Sequence, residues 1–402
     1  MKSNIIKFIS NDFLVGLGNS IFNLVIMWYT LERTGSAFYT ASIGALSHIA
    51  QITIGSYAGI KADQFNQPVK MMVYSLRMNS IILLVICICI GILNINIYGL
   101  IFLLLLREII MVFQLPNQNI LIPRLCLVRE DIKKVISYRS LTKNLSMMIG
   151  FSIAGFLYLV MSFPTLLIII LTLFIVSSLI INNIKVTQSV NFDKKHLKEK
   201  KHFEEFKSTL KMILQDYYLK RVLINSVLLN IISMVAPTFV VYFNQYLKAG
   251  SSDYGLFQFL IALGSVLAAT FGMRLKKIIS PYSILLTFWL LMSVSFIYMY
   301  VNSSTSVAIT LGIVIGVCLT LPTILFSTYK IVIMEDNYRG RISGMIQSIS
   351  TVSIPIAYYF SAYISDYYGA NMVFLIAGVI QLFILIFLSF DKRLKLNFNE
   401  MV

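Results

Sequence analysis

The sequence predicts an all-α membrane protein of twelve spans, set as two six-helix halves, and three observations carry that prediction. Of 402 residues, 58% are hydrophobic and only 12% charged, whereas a soluble chain has about a quarter of its residues charged. Apolar stretches near the ~20 residues needed to cross a bilayer recur twelve times along the chain. One long polar segment, 185–221, separates the first six from the last six. The mean hydropathy of +0.81 agrees.

The first half, 1–184, holds spans near 8–31, 38–60, 71–93, 97–121, 139–161 and 165–184. Lys2 and Lys7 precede an apolar run reaching Leu31, which is too long for a signal core, so the first span is expected to be retained. The second half, 222–402, holds spans near 222–247, 254–273, 282–301, 306–334, 341–364 and 371–390, followed by a short tail. Between the halves, Phe203, Phe206, Leu210, Ile213 and Leu214 recur at helical spacing among Lys and Glu. Two readings fit that segment: an amphipathic helix on the inner leaflet, or a solvated linker.

Orientation follows the basic bias of short loops. When successive loops are assigned to alternate sides, all 33 Lys and Arg except Arg33, Lys248 and Arg107 fall on the side of the central segment. That side is the cytoplasm, and both termini are expected there, in a multi-pass protein of the cell membrane. The net charge of +16 is thereby accounted for, and a nucleic-acid partner is not expected. Cys87, Cys89, Cys126 and Cys318 form no Cys-x-x-Cys pair and have no partnered histidines. Neither a disulfide, a metal site nor a cofactor is expected.

The turn after the second span reads Gly59-Ile-Lys-Ala-Asp63-Gln-Phe-Asn-Gln-Pro-Val-Lys70. It resembles the Gly-x-x-x-Asp turn of the major facilitator superfamily: Gly59, Asp63 and one positive charge at Lys70 are kept, while Gln64, Asn66, Gln67 and Pro68 replace the usual Arg and Gly. A longer match, Pro116-Asn-Gln-Asn-Ile-Leu-Ile-Pro123 with Gly150 and Gly155 in the fifth span, is similar to the macrolide-efflux and enterobactin-exporter branch of drug:proton antiporters. Phe151 and Asn117 depart from that pattern, whereas Thr34-Gly35-Ser36 and Tyr338-Arg339-Gly340-Arg341-Ile342-Ser343-Gly344 follow it. The resemblance implies two halves rocking about a midplane site, with Asp63 bracing a gate against the start of the eleventh helix near Arg339 and Arg341. The plainer alternative is that Asp63 ends a helix.

In this family helices one, four, seven and ten line the cavity. Here they carry polar stripes: Asp12, Asn19, Asn23 and Thr30; Arg107, Gln114 and Gln118; Ser226, Asn230, Ser233 and Asn244; Thr320, Thr323, Ser327 and Lys330. Such groups avoid lipid, and they either meet substrate or hydrogen-bond between helices. Arg107 and Glu108 differ, because a charge at mid-membrane costs at least ~2.5 kcal/mol. Glu108 is therefore the expected proton carrier with Arg107 poising it, and Asp12 and Glu32 are next in line; the alternative is a structural ion pair. His48 either titrates or packs.

No Gly-x-x-x-x-Gly-Lys-Ser/Thr loop, His-Glu-x-x-His or Gly-x-Ser-x-Gly element occurs, so neither an ATP-driven pump nor an enzyme is expected. The resemblance implies a monomeric exporter of an organic small molecule, a drug or a secreted metabolite, in exchange for protons. A siderophore or metallophore exporter is the near alternative, and a non-transporting receptor or scaffold the remote one. The topology is checked by cytoplasm-specific reporters fused after Phe390, expected active, and after Ser303, expected silent; the reverse pattern would refute it.

Overall fold

The structure, a computed structural model, describes residues 2–65, 67–93, 95–126, 129–184, 202–334 and 339–401. The first part of the basic segment, 185–201, lies outside them. The chain divides into two compact units, Met1–Asn191 with Gly250–Phe259, and Phe192–Ala249 with Leu260–Val402.

The first unit is built from α1 (Lys2–Thr34), α2 (Ala37–Phe65), α3 (Pro68–Gly91), α4 (Ile97–Met111), α5 (Gln114–Leu125), α6 (Arg129–Val160) and α7 (Phe163–Asn182). Local chemistry sets the ends. Gly35 closes α1 with φ of +65°, its N–H reaching Leu31 O at 2.7 Å, a left-handed cap that a side chain would strain. Asn96 caps α4 by accepting from Gly99 N. The α1 helix packs on α6 and α7, and α3 packs on α7. Small residues permit the closest approaches: a Cβ on Gly150 would stand 2.6 Å from Ser20 Cβ, and one on Gly155 2.5 Å from Ser251 O. Both glycines of the fifth-span motif thus have a packing reason.

The second unit contains α8 (His202–Gln215), α9 (Tyr217–Ile232), α10 (Val235–Val241), a π-helical turn (Tyr242–Tyr246), α12 (Pro281–Val301), α13 (Thr305–Val332), α14 (Arg339–Tyr368), α15 (Ala370–Ser389) and α16 (Lys392–Met401). The helix α11 (Ser251–Phe271) begins in the first unit and ends in the second. The amphipathic stretch forms a helix, α8, packed on α9 and α14 with Ile213 buried. Leu214, expected on the same apolar stripe, is exposed instead; the side chains of Phe203 and Phe206 are outside the described residues.

Among the described residues, ten stretches are long and apolar enough to cross a membrane by length and composition. The α2 and α14 helices, 29 and 30 residues long, are more polar but long enough, and they complete the twelve. Two spans expected as single helices are broken. The fourth is α4 followed by α5, with a seam at Val112–Phe113, and the seventh is α9 followed by α10, with a seam at Ser233–Met234. One cause serves both. Pro116 lies four residues after Val112 and Pro237 four after Ser233, so each removes the N–H that would bond that carbonyl and crowds it with its ring. The chain tightens locally, with Phe113 N reaching Ile110 O at 3.3 Å and Ala236 N reaching Ser233 O at 2.9 Å.

Candidate functional site

Among the described residues of the first unit, the least exposed charged side chain is Arg107, 2% exposed on α4. Its guanidinium pairs with Glu108, donates to Asn19 Oδ1 of α1 at 2.6 Å, and lies 3.9 Å over the Phe22 ring. Arg107 Nε has no acceptor among the described residues. Glu108 keeps 19% exposure, and His48 of α2 is near enough to feel its charge. Asn19, expected against substrate, therefore holds Arg107, and Glu108 is the more open member of the pair.

A second cluster joins three helices. Asp12 of α1 takes Arg139 Nε of α6 at 2.6 Å on Oδ2 and Gln118 Nε2 of α5 at 3.0 Å on Oδ1. Arg139 also bonds Gln118 Oε1, which closes the triangle. The face expected to unite Arg107, Gln114 and Gln118 is thus split. Gln114 turns to α3, donating to Met72 O at 3.1 Å and Ser75 Oγ at 2.5 Å. Near the far end of α1, Glu32 accepts from Trp28 Nε1 at 2.7 Å and from Tyr158 OH of α6 at 2.6 Å. Asn23 is exposed on α1, and Thr30 is buried.

In the second unit, Asn230 Nδ2 donates to Ser350 O of α14 at 2.8 Å, an interhelical bond. Thr323 and Ser327 share an exposed face of α13, their hydroxyls bonded to Leu319 O and Ile324 O of the same helix. Their oxygens can still accept. Of the gating residues, Gly59 and exposed Asp63 form the end of α2, and exposed Arg341 lies in the first turn of α14; the side chain of Arg339 is outside the described residues.

Residues 221–399 match the profile of the Major Facilitator Superfamily. Solved structures align over nearly the whole chain. The nucleoside transporter NupG superposes with a TM-score of 0.73 at 14% identity, over 97% of this chain and 100% of its own. A bacterial homologue of the iron transporter ferroportin, in an inward-facing state, gives 0.70 at 16% identity, over 94% and 98%. The inward-open xylose transporter XylE from E. coli gives 0.67 at 12%, over 96% and 95%. The chain has the major facilitator fold. No curated protein matches its sequence.

On this fold the polar groups sort by what they touch. Arg107, Glu108 and Asn19 form a charge-bearing set with one open carboxylate, whereas Asp12, Gln118 and Arg139 bind one another. The sequence places Arg139 among the loop cations, yet it is half of an interhelical ion pair. The available signal is Asp12 itself, a carboxylate in an apolar span that needs a cation. Removing one partner of that pair leaves the other uncompensated. Arg139→Ala is expected to cost roughly 1–3 kcal/mol, and adding Asp12→Asn is expected to recover much of the loss. Thermal unfolding of the purified variants in detergent checks both, and an Arg139→Ala protein as stable as the parent would refute the pairing.

Proposed function

We propose that the chain is a secondary transporter exporting an organic small molecule, a drug or a secreted metabolite, by proton antiport, and that it belongs to the major facilitator superfamily along its whole length. The observation that supports this most is Arg107–Glu108, an ion pair inside a span with the carboxylate partly open. A carboxyl withdrawn from water holds its proton, while one beside a guanidinium releases it. Alternating access would switch Glu108 between those settings: engaged elsewhere, Arg107 leaves the carboxyl free to take a proton from outside, and renewed pairing expels that proton to the cytoplasm. The structural relatives are named for nucleoside, iron and xylose transport, so the fold alone does not select a substrate. The motifs that resemble those of macrolide and enterobactin exporters support export of an organic molecule without selecting it, and Asn23, Thr323 and Ser327 are its proposed polar contacts.

Inverted membrane vesicles provide the test, with labelled erythromycin and enterobactin as probes. Glu108→Gln is expected to bind a probe yet lose more than tenfold of its gradient-driven accumulation, and Arg107→Ala to uncouple accumulation from the pH gradient. Full accumulation by Glu108→Gln would move the carrier role elsewhere, to Asp12 or Glu32. A siderophore exporter is distinguished by accumulation of enterobactin without erythromycin.

The gating role of Asp63 rests on the matching turn and on the affinity of a carboxylate for a helix N-terminus. Asp63→Asn is expected to lower transport several-fold at unchanged membrane abundance, measured by the same uptake together with immunoblotting. Undiminished transport would leave Asp63 as a helix end.

A further inference from the structure

Where α9, α15 and α16 meet in the second unit, the structure has a cavity of about 400 Å³. Its wall carries three cations, Arg221, Lys392 and Arg393, against one carboxylate, Asp391. That carboxylate is already committed. It is 4% exposed, pairs with Arg221 Nε at 3.1 Å, accepts Tyr217 OH at 2.7 Å on both oxygens, and caps α16 through Leu394 N at 3.0 Å. The cations are held in place by rings: Arg221 Cζ lies 4.5 Å from the Phe387 centroid and Arg393 Cζ 5.8 Å from that of Tyr217. Lys392 and Arg393 are exposed, so the cavity presents excess positive charge to whatever occupies it.

Its position selects the occupant. The α15 span ends at Ser389 and the span starting with α9 begins at Tyr217, so the cavity stands at a membrane boundary, level with lipid headgroups. Phe387 and Phe390 on the same wall are 49% and 80% exposed, so open apolar surface adjoins the cations. A ligand meeting all of these needs a phosphoryl anion for the guanidinium and ammonium groups and hydrocarbon for the rings. We propose that this cavity binds the headgroup of an anionic phospholipid, phosphate against Lys392 and Arg393 and acyl chains along Phe387 and Phe390. The bound lipid ties α16 to the start of α9, next to the link that Asp391 already makes. Such binding is independent of the transported substrate and of proton coupling.

Native mass spectrometry of the full chain, with phosphatidylglycerol or phosphatidylcholine added, measures the binding, and thermal unfolding measures its effect. Selective retention of phosphatidylglycerol is expected, with an accompanying rise in melting temperature. The double variant Lys392→Gln/Arg393→Gln should weaken retention about twenty-fivefold and Lys392→Gln alone about fivefold. Lys395→Gln, an exposed cation of α16 outside the cavity, should leave retention unchanged. The melting temperature without lipid confirms that each variant is folded. Equal retention of the two lipids, or full retention by the double variant, overturns the proposal. So does millimolar inorganic phosphate reproducing the whole thermal shift, which would make this a site for soluble phosphate.

Discussion

A backbone amide in hydrocarbon has no water to turn to, and this constraint shapes nearly every feature of the chain. It requires helices across the whole span set, and it makes each interruption of a helix an expense that neighbours must absorb. The two seams, at Val112–Phe113 and Ser233–Met234, fall where proline withholds a donor; both carry i→i+3 bonds, and at the second Ala236 N takes the Ser233 carbonyl that Pro237 leaves. Around the first seam, Arg107 before it and Gln118 after it both meet α1, while Gln114 meets α3, so three polar groups are shared between two neighbouring helices.

The same constraint applies to side chains, with larger stakes. The charged groups of Arg107 and Asp12, both well buried, have named partners: Arg107 has Glu108 and Asn19, and Asp12 has Arg139 and Gln118. The two groups differ in how closed they are. The Asp12 cluster links three helices with both carboxylate oxygens engaged, which suits a fixed brace. Glu108 has one partner cation and an open side, which suits a group that changes state.

Much of this is legible in the sequence. Hydropathy locates ten of the spans among the described residues and helix length supplies the other two, and the charge of Arg107 marks it as purposeful before any neighbour is known. Sequence spacing puts Asn19 on the right helix without naming it as the acceptor for Arg107, because helical spacing says which face a residue occupies and nothing about which partner arrives there. The prolines at 116 and 237 are visible, yet Pro322 and Pro355 lie inside continuous helices α13 and α14, so proline by itself does not announce a break. The stripe Ser226, Asn230, Ser233 and Asn244 runs across a seam and a π-helical turn, neither of which keeps 3.6 residues per turn, so spacing alone does not put Asn244 on the face of the other three.

That π-helical turn, Tyr242–Tyr246, closes with Leu247 N on Tyr242 O at 2.9 Å, and buried Tyr242 hands its hydroxyl to Met299 O and Asn302 O at the end of α12. A turn of this kind accommodates one residue more than the helix around it. A relative built with a plain helix here would align with a single-residue gap somewhere in these five positions. Placing that gap on the wrong side of Tyr242 would assign its anchoring hydroxyl to a neighbour, and each residue between the true and the misplaced gap would be read about 100° off its face.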